Sequence, residues 1–171
     1  MDFLELVKER YSVRDFLDKE IEQEKLDKIL LAGNVAPTAC NKQPQKIYIL
    51  KSREAIEKIR EVTKMAFNAP IVLLICANVE DAWVNPFDKE YNSSEMDTSI
   101  VTTHMMLEAW NLGISSVWIK YFDHELLKEK FELPSIILPI CLLPIGYKNP
   151  NYLPSKLHNI KKDINDIVEY L

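Results

Sequence analysis

Apolar residues recur in two rhythms along the 171-residue chain, and the switches between them predict its elements. Residues 2–10 carry Phe3, Leu4, Leu6 and Val7 at helical spacing. A second stripe through Leu26, Ile29, Leu30 and Gly33 predicts a helix over 22–35, which Pro37 stops. APTACNKQPQ follows as a loop by composition, and then KIYIL (46–50) as a short aromatic, β-branched strand. Helical spacing returns over 53–67 through Ile56, Ile59, Thr63 and Ala66, and after Pro70 the run IVLLICA reads as a strand buried on both faces.

Residues 78–94 are irregular and hold Trp83, Phe87 and Tyr91 at four-residue spacing, with Pro86 inside it. The pattern over 96–112 is the strongest helix: Ser94 or Asp97 can cap it, Gly113 suits a left-handed last residue, and its mostly apolar faces predict a central buried helix. ISSVWI reads as a strand, Asp123 as the cap of a helix to 131, and IILPICLLPIGY as a strand whose Pro139 and Pro144 argue for an edge or a strand end. The tail, 148–171, has little core period beyond Ile164, Ile167 and Val168, as in a segment that docks on a partner. No repeat, low-complexity tract or linker divides the chain, so one domain over 1–171 is expected. Alternating helices and strands suggest a doubly wound parallel sheet, although periodicity does not report strand direction.

Composition removes several function classes. A net charge of −5 with dispersed Lys and Arg argues against nucleic acid, which rewards clustered cations with counterion release. The longest apolar runs fall well short of the ~20 residues of a membrane helix, so no span is expected. MDFLELVKER lacks the basic start and apolar core of a signal peptide, and three separated cysteines make no disulfide framework; both fit the cytoplasm. With only Gly33, Gly113 and Gly146, neither GxGxxG nor GxxxxGK can occur. Isolated His104, His124 and His158 give no metal-ligand spacing, so no metal is expected, and a Cys40 nucleophile has no local signature.

Two segments carry candidate chemistry. If RYSVRDF is extended, Arg10, Ser12 and Arg14 point to one side and Tyr11 and Val13 to the other, a face that suits an anion. The alternative is a helix end whose arginines meet the dipole and Asp15. In APTACNKQPQ, Asn41 and Gln43 are amides that either satisfy a turn or meet a ligand with mixed donors and acceptors.

Taken in order, RxSxR, then PTAxNxQP, then DTSIVTTHMMLEAWNLGISSVWI, then PIGY, the chain resembles the flavin-dependent nitroreductase family over nearly its whole length, and looks like one of its shorter members. The resemblance implies an α+β fold with a mixed, mostly antiparallel central sheet flanked by helices and terminal segments exchanged in a homodimer, in place of the parallel sheet. It also implies bound FMN at the subunit interface, NAD(P)H as reductant, and a nitroaromatic, quinone or similar small acceptor. By matching motif, Arg10 and Ser12, with Tyr11 between them, would hold the FMN phosphate, and Arg14 would approach the pyrimidine edge. Pro37, Thr38 and Ala39, followed by Asn41 and Gln43, would reach the flavin from the other subunit. Trp118, Ile119 and Lys120 would pass flavin N5, with Pro144, Ile145 and Gly146 on the opposite side and Lys156 or Lys161 adding a second phosphate charge. No side chain is assigned as catalytic, because flavin N5 carries the chemistry.

Three departures from the family pattern stand out: no glycine near Lys120 and Tyr121, Gln45 where an aromatic often follows Gln-Pro, and a short lid segment that leaves Trp83, Phe87 and Tyr91 as substrate-facing candidates. The first motivates an alternative, a flavin-binding carrier or redox sensor without turnover. A flavin-free interaction domain is the blander third reading.

Overall fold

The computed structural model describes residues 2–171, and its sheet is built around the run after Pro70. Strands β1 (Gln45–Leu50), β2 (Ile71–Asn78), β3 (Ser115–Ser116) and β4 (Ile137–Gly146) form one sheet in the order β1-β2-β4-β3, and every ladder is antiparallel. The parallel arrangement suggested by alternation is thereby corrected: a connection long enough to hold a helix can return the chain in either direction. Five α-helices surround the sheet among the described residues: α1 (Phe3–Glu9), α2 (Gln23–Asn34), α3 (Arg53–Val62), α4 (Ser94–Asn111) and α5 (His124–Lys130). None is long and apolar enough to cross a membrane.

Side-chain alternation along β2 makes two cores. Val72, Leu74 and Cys76 face α3 and α5, while Leu73, Ile75 and Ala77 face α2 and α4. Ile71 through Ala77 are all buried, and a fully buried aliphatic side chain stabilises by roughly 1.5–3 kcal/mol, so β2 is the spine of the fold. The helix α4 can lie deep in the molecule despite its hydroxyls because they bond back to its own carbonyls: Thr98 to Ser94 (2.6 Å) and Thr102 to Thr98 (2.7 Å). Gly113 ends it with φ +74°, as the sequence predicts, and Asp123 caps α5 by accepting the Leu126 N–H at 3.0 Å.

Three local expectations fail for identifiable reasons. The helix expected over 53–67 stops at Val62, because Thr63 is extended (φ −152°, ψ 142°) and turns its hydroxyl to the Tyr121 carbonyl (2.6 Å). The strand with two prolines is not an edge but lies between β2 and β3. Its ladder to β2 slips at Ile140, so Ile75 faces Cys141 while Cys76 faces Pro139, and a bulge tolerates a proline beside it. Pro144 accepts from Val117 N–H (3.2 Å) but has no N–H to return, which is where ISSVWI leaves the sheet. The expected six-residue strand is thus reduced to Ser115–Ser116 plus an isolated Ile119–Leu142 pairing.

Cys76 and Cys141 sit in opposite cores, and burial pushes both thiols up to about 12. Cys40 is exposed. A thiol reagent at pH 8 is therefore expected to titrate one cysteine in the native protein and all three after unfolding. A raised folded pKa means that the unfolded chain ionises first. Folding stability from these two thiols is fully present below about pH 9 and declines as pH rises toward about 12, readable as falling urea midpoints that flatten in a Cys76→Ala variant.

Candidate functional site

Helix α1 opens with a capping box between Asp2 and Glu5 and closes where Arg10 turns extended (φ −61°, ψ 130°). The chain then runs along the end of the sheet: Val13 N–H donates to Ser116 O (3.0 Å), Leu17 N–H to Tyr147 O (2.8 Å) and Asn149 N–H to Asp15 O (3.1 Å). Val13 is fully buried, and the Tyr11 ring lies edge-on to Trp110 at 5.0 Å and stacked toward Tyr152 at 6.4 Å. With those two side chains turned inward, Arg10 and Ser12 are half-buried and Arg14 is exposed.

Neither guanidinium enters an ion pair among the described residues. Burial lowers the Arg10 pKa from its usual value, the mark of a cation that has lost water without gaining a carboxylate. Such a group, beside the Ser12 hydroxyl, fits a phosphate, whose oxygens accept charge-assisted bonds from a guanidinium. Arg14 lines an open concavity with Arg60, Lys64 and Phe67.

The chain leaving β3 forms the second wall. Ile119 and Leu142 exchange both backbone hydrogen bonds at 2.9 Å, the Thr63 hydroxyl holds the Tyr121 carbonyl, and Lys120 pairs with Glu95 at the start of α4. The Ile119 side chain is buried in the core and Trp118 half-buried, so their backbone is what this segment can present. Pro144, Ile145 and Gly146 lie at the buried end of β4. Ile145 packs into the core under α2 and α4, and a Cβ at Gly146 would stand 2.8 Å from Pro70 Cδ and 3.0 Å from Phe16 Cδ1, so glycine is required there by close approach.

The amide loop is held elsewhere. Ala39–Asn41 form a 3₁₀ turn in which Thr38 Oγ1 accepts from Gln43 N–H (3.0 Å) and Asn41 O from the Gln43 amide (3.3 Å). Pro37 is exposed at the entrance to this turn. Cys40, Asn41 and Gln43 all have positive φ (50°, 53° and 49°), a strained arrangement for residues other than glycine that the surroundings must impose. The restraint is Asp97, 2% exposed, which accepts the Ala39 N–H at 2.9 Å and the Ser93 hydroxyl at 2.7 Å. Asp97 therefore does not cap α4 as its position suggests.

Trp83, Phe87 and Tyr91 belong to a short hairpin rather than a helix face. Val84 pairs with Asn92, Asn85 N–H donates to Tyr91 O (3.0 Å), and Phe87 is 98% exposed at the tip.

The structure thus brings together residues 10–14, 115–120, 144–148 and part of the tail, where Tyr152 donates to the Ser12 carbonyl (3.3 Å) and His158 lies 5.8 Å from the Tyr11 ring. Lys156 shares the 3₁₀ turn Lys156–Asn159 with His158, and Lys161 lies beyond it. The loop 37–43 is not part of that group within one chain. Lys120 meets α4 at Glu95 and Ala39 meets it at Asp97, positions about 200° apart around a helix. Sequence reasoning missed the roles of Asp97, Ser93, Thr63 and Glu95; for the three at α4 the signal was its acidic, hydroxyl-rich start, which reads equally well as capping, and Thr63 left none.

Residues 7–68 and 62–147 match the model described as the Nitroreductase family. A protein of Methanothermobacter thermautotrophicus described as an NADH dehydrogenase/NAD(P)H nitroreductase is 30% identical, over 92% of this chain and 86% of that one. The crystal structure of a nitroreductase family protein from Clostridium difficile 630 superposes with a TM-score of 0.92 at 38% identity, over 99% of this chain and 98% of that one. An FMN-dependent nitroreductase of Clostridium difficile R20291 does so with a TM-score of 0.78 at 25% identity, over 98% of each chain. Motifs, fold and all three comparisons agree that the chain belongs to the nitroreductase family.

Proposed function

We propose that this NAD(P)H-dependent oxidoreductase binds FMN between two copies of the chain and passes reducing equivalents from NAD(P)H to a nitroaromatic, a quinone or a similar small acceptor. The observation that carries the reading is Arg10: a half-buried guanidinium without a carboxylate partner among the described residues, beside the Ser12 hydroxyl. When bound, FMN would supply the two-electron redox chemistry that links NAD(P)H to the acceptor.

The chain's own residues bind, orient and charge the site. Arg10 and Ser12 grip the phosphate, with Lys156 on the tail turn nearest Tyr11 as the better placed of the two candidate lysines. Arg14 lends a positive charge to the pyrimidine edge, where it favours the reduced form. The backbone of Trp118–Lys120 would hold the redox edge of the ring, with Ile119 bonded to Leu142 and the Tyr121 carbonyl to the Thr63 hydroxyl keeping the segment in place. Solvent protonates the acceptor, so no side chain need act as an acid.

A second copy supplies the Pro37–Gln43 loop, which in one chain approaches α4 from the side away from Lys120. The tail supports the same assembly: Leu153, Leu157, Ile160 and Ile167 are each more than 60% exposed, an apolar strip that a neighbour would cover. Gel filtration is expected to give a dimer, and dilution to monomer to release flavin; flavin retained on a monomer contradicts the shared site.

The deciding experiment is the visible spectrum of the purified protein before and after anaerobic NADH, repeated with NADPH. Bleaching, with recovery on adding a quinone, supports the reductase. A flavin spectrum that neither reductant changes favours the carrier or sensor, the reading prompted by the lack of a glycine near Lys120 and Tyr121. A protein that takes up no FMN overturns both.

A further inference from the structure

A continuous chain of hydrogen bonds joins the amide loop to the Trp83–Asn92 hairpin. Ala39 N–H donates to Asp97 Oδ1 (2.9 Å), the Ser93 hydroxyl donates to Asp97 Oδ2 (2.7 Å), and Ser93 Oγ accepts from Trp83 N–H (3.1 Å). Backbone bonds brace it: Ser93 N–H donates to Trp83 O (2.9 Å) and Asp97 N–H to Ser93 O (2.8 Å). Ser93 and Asp97 are only 3% and 2% exposed.

The chemistry of the two side chains fixes the direction of every bond. An ionised carboxylate only accepts, so the single hydroxyl proton of Ser93 must go to Asp97, which leaves the hydroxyl lone pairs for Trp83. Removing either group takes the acceptor from a part-buried backbone N–H, Trp83 for Ser93 and Ala39 for Asp97. The loop on one side holds three non-glycine residues at positive φ and relaxes when its anchor is lost. The hairpin on the other side offers Phe87 and Tyr91 to solvent.

We propose that Asp97 and Ser93 are positioning residues that couple the amide loop to the hairpin, so that the surface facing the cofactor and the surface facing the acceptor shift as one unit. This rests on the FMN reading for its catalytic meaning, but the coupling itself is a property of the chain. Coupling between sites is reciprocal, so whatever orders the hairpin also tightens the loop.

Hydrogen exchange read by mass spectrometry tests the coupling without flavin. In Ser93→Ala, amides over 36–44 and over 80–92 are expected to exchange together about fivefold faster, as for one lost hydrogen bond, while 71–78 keeps its wild-type rate. Faster exchange in the hairpin with an unchanged loop overturns the proposal. Asp97→Asn can still accept from Ala39 and donate to Ser93, so it is expected to keep both segments near wild type where Asp97→Ala frees both; it decides the matter should Ser93→Ala fail to fold, and a loop loosened alone in Asp97→Asn overturns it.

On the FMN-loaded enzyme with menadione as acceptor, Ser93→Ala is expected to raise the FMN dissociation constant and the menadione KM together, each by about fivefold, with a smaller change in kcat. A weakened FMN affinity with an unchanged KM overturns the coupling. A wild-type protein that binds no FMN overturns the cofactor reading instead, and the exchange rates still decide the network.

Discussion

Replacing Arg10 by alanine is expected to lower the affinity for FMN by about ten- to a hundredfold, the equivalent of the roughly 1.5–3 kcal/mol of a hydrogen bond to a charged group. The size follows from the surroundings. Arg10 is half-buried, its charge is already disfavoured by lost water, and it has no ion pair among the described residues to compete with a phosphate. For the same reason the apoprotein should suffer little: its thermal midpoint is expected to stay near wild type, because the substitution removes an unpaired, desolvated cation and no ion pair or side-chain hydrogen bond among the described residues. Titration by flavin fluorescence quenching reads the first effect and a melting curve the second. The affinity should also fall as salt is added, since screening weakens a partly exposed ion contact. An Arg10→Ala protein that binds FMN as tightly as wild type removes the phosphate assignment.

Leu142→Ala tests the architecture beneath the site, with an expected loss of about 2–5 kcal/mol of folding stability. Leu142 is fully buried, faces Leu74 across the ladder and exchanges both backbone bonds with Ile119. Truncation leaves a hole under the isolated Ile119–Leu142 bridge that holds the chain after β3 against the sheet. At roughly 2–4 °C per kcal/mol for a protein of this size, the melting midpoint should drop by several degrees at least. A urea midpoint close to wild type would show that this core can collapse around the gap. Because Ile119 loses its backing, flavin-linked turnover is expected to fall more than flavin binding, in contrast to Arg10→Ala.

How far the sequence was readable depended on how local each cause was. IVLLICA, the Gly113 turn and the Asp123 cap are decided within a few residues, and all three stand in the structure. The end of α3 was hidden because Thr63 answers to Tyr121, 58 positions away in the chain. β4 was misplaced because the rule against central prolines ignores the bulge at Ile140 and the early exit of β3. Strand direction left no trace in the periodicity. Within the candidate site, the alternation in RYSVRDF was legible, but the bond from Val13 to Ser116 that lays it against the sheet was not. The left-handed Cys40 and Gln43 carry no signal in residue type, since neither favours that conformation, and the loop that holds them is tied at Ala39 to a carboxylate on another element.

The slip at Ile140 also fixes the parity of β4. Before it, Ile137 turns toward α3 and α5; after it, Leu142 does so, and an odd position has given way to an even one. Ile140 and its neighbour Cys141 both point the other way, so Ile140 is a supernumerary residue in an otherwise alternating strand. Loss of one residue there leaves inward and outward sides as they are, whereas loss of one anywhere between Cys141 and Gly146 exchanges them for part of the strand. Lengths of β4 that differ by one are therefore compatible with the same site only if the difference falls at that position.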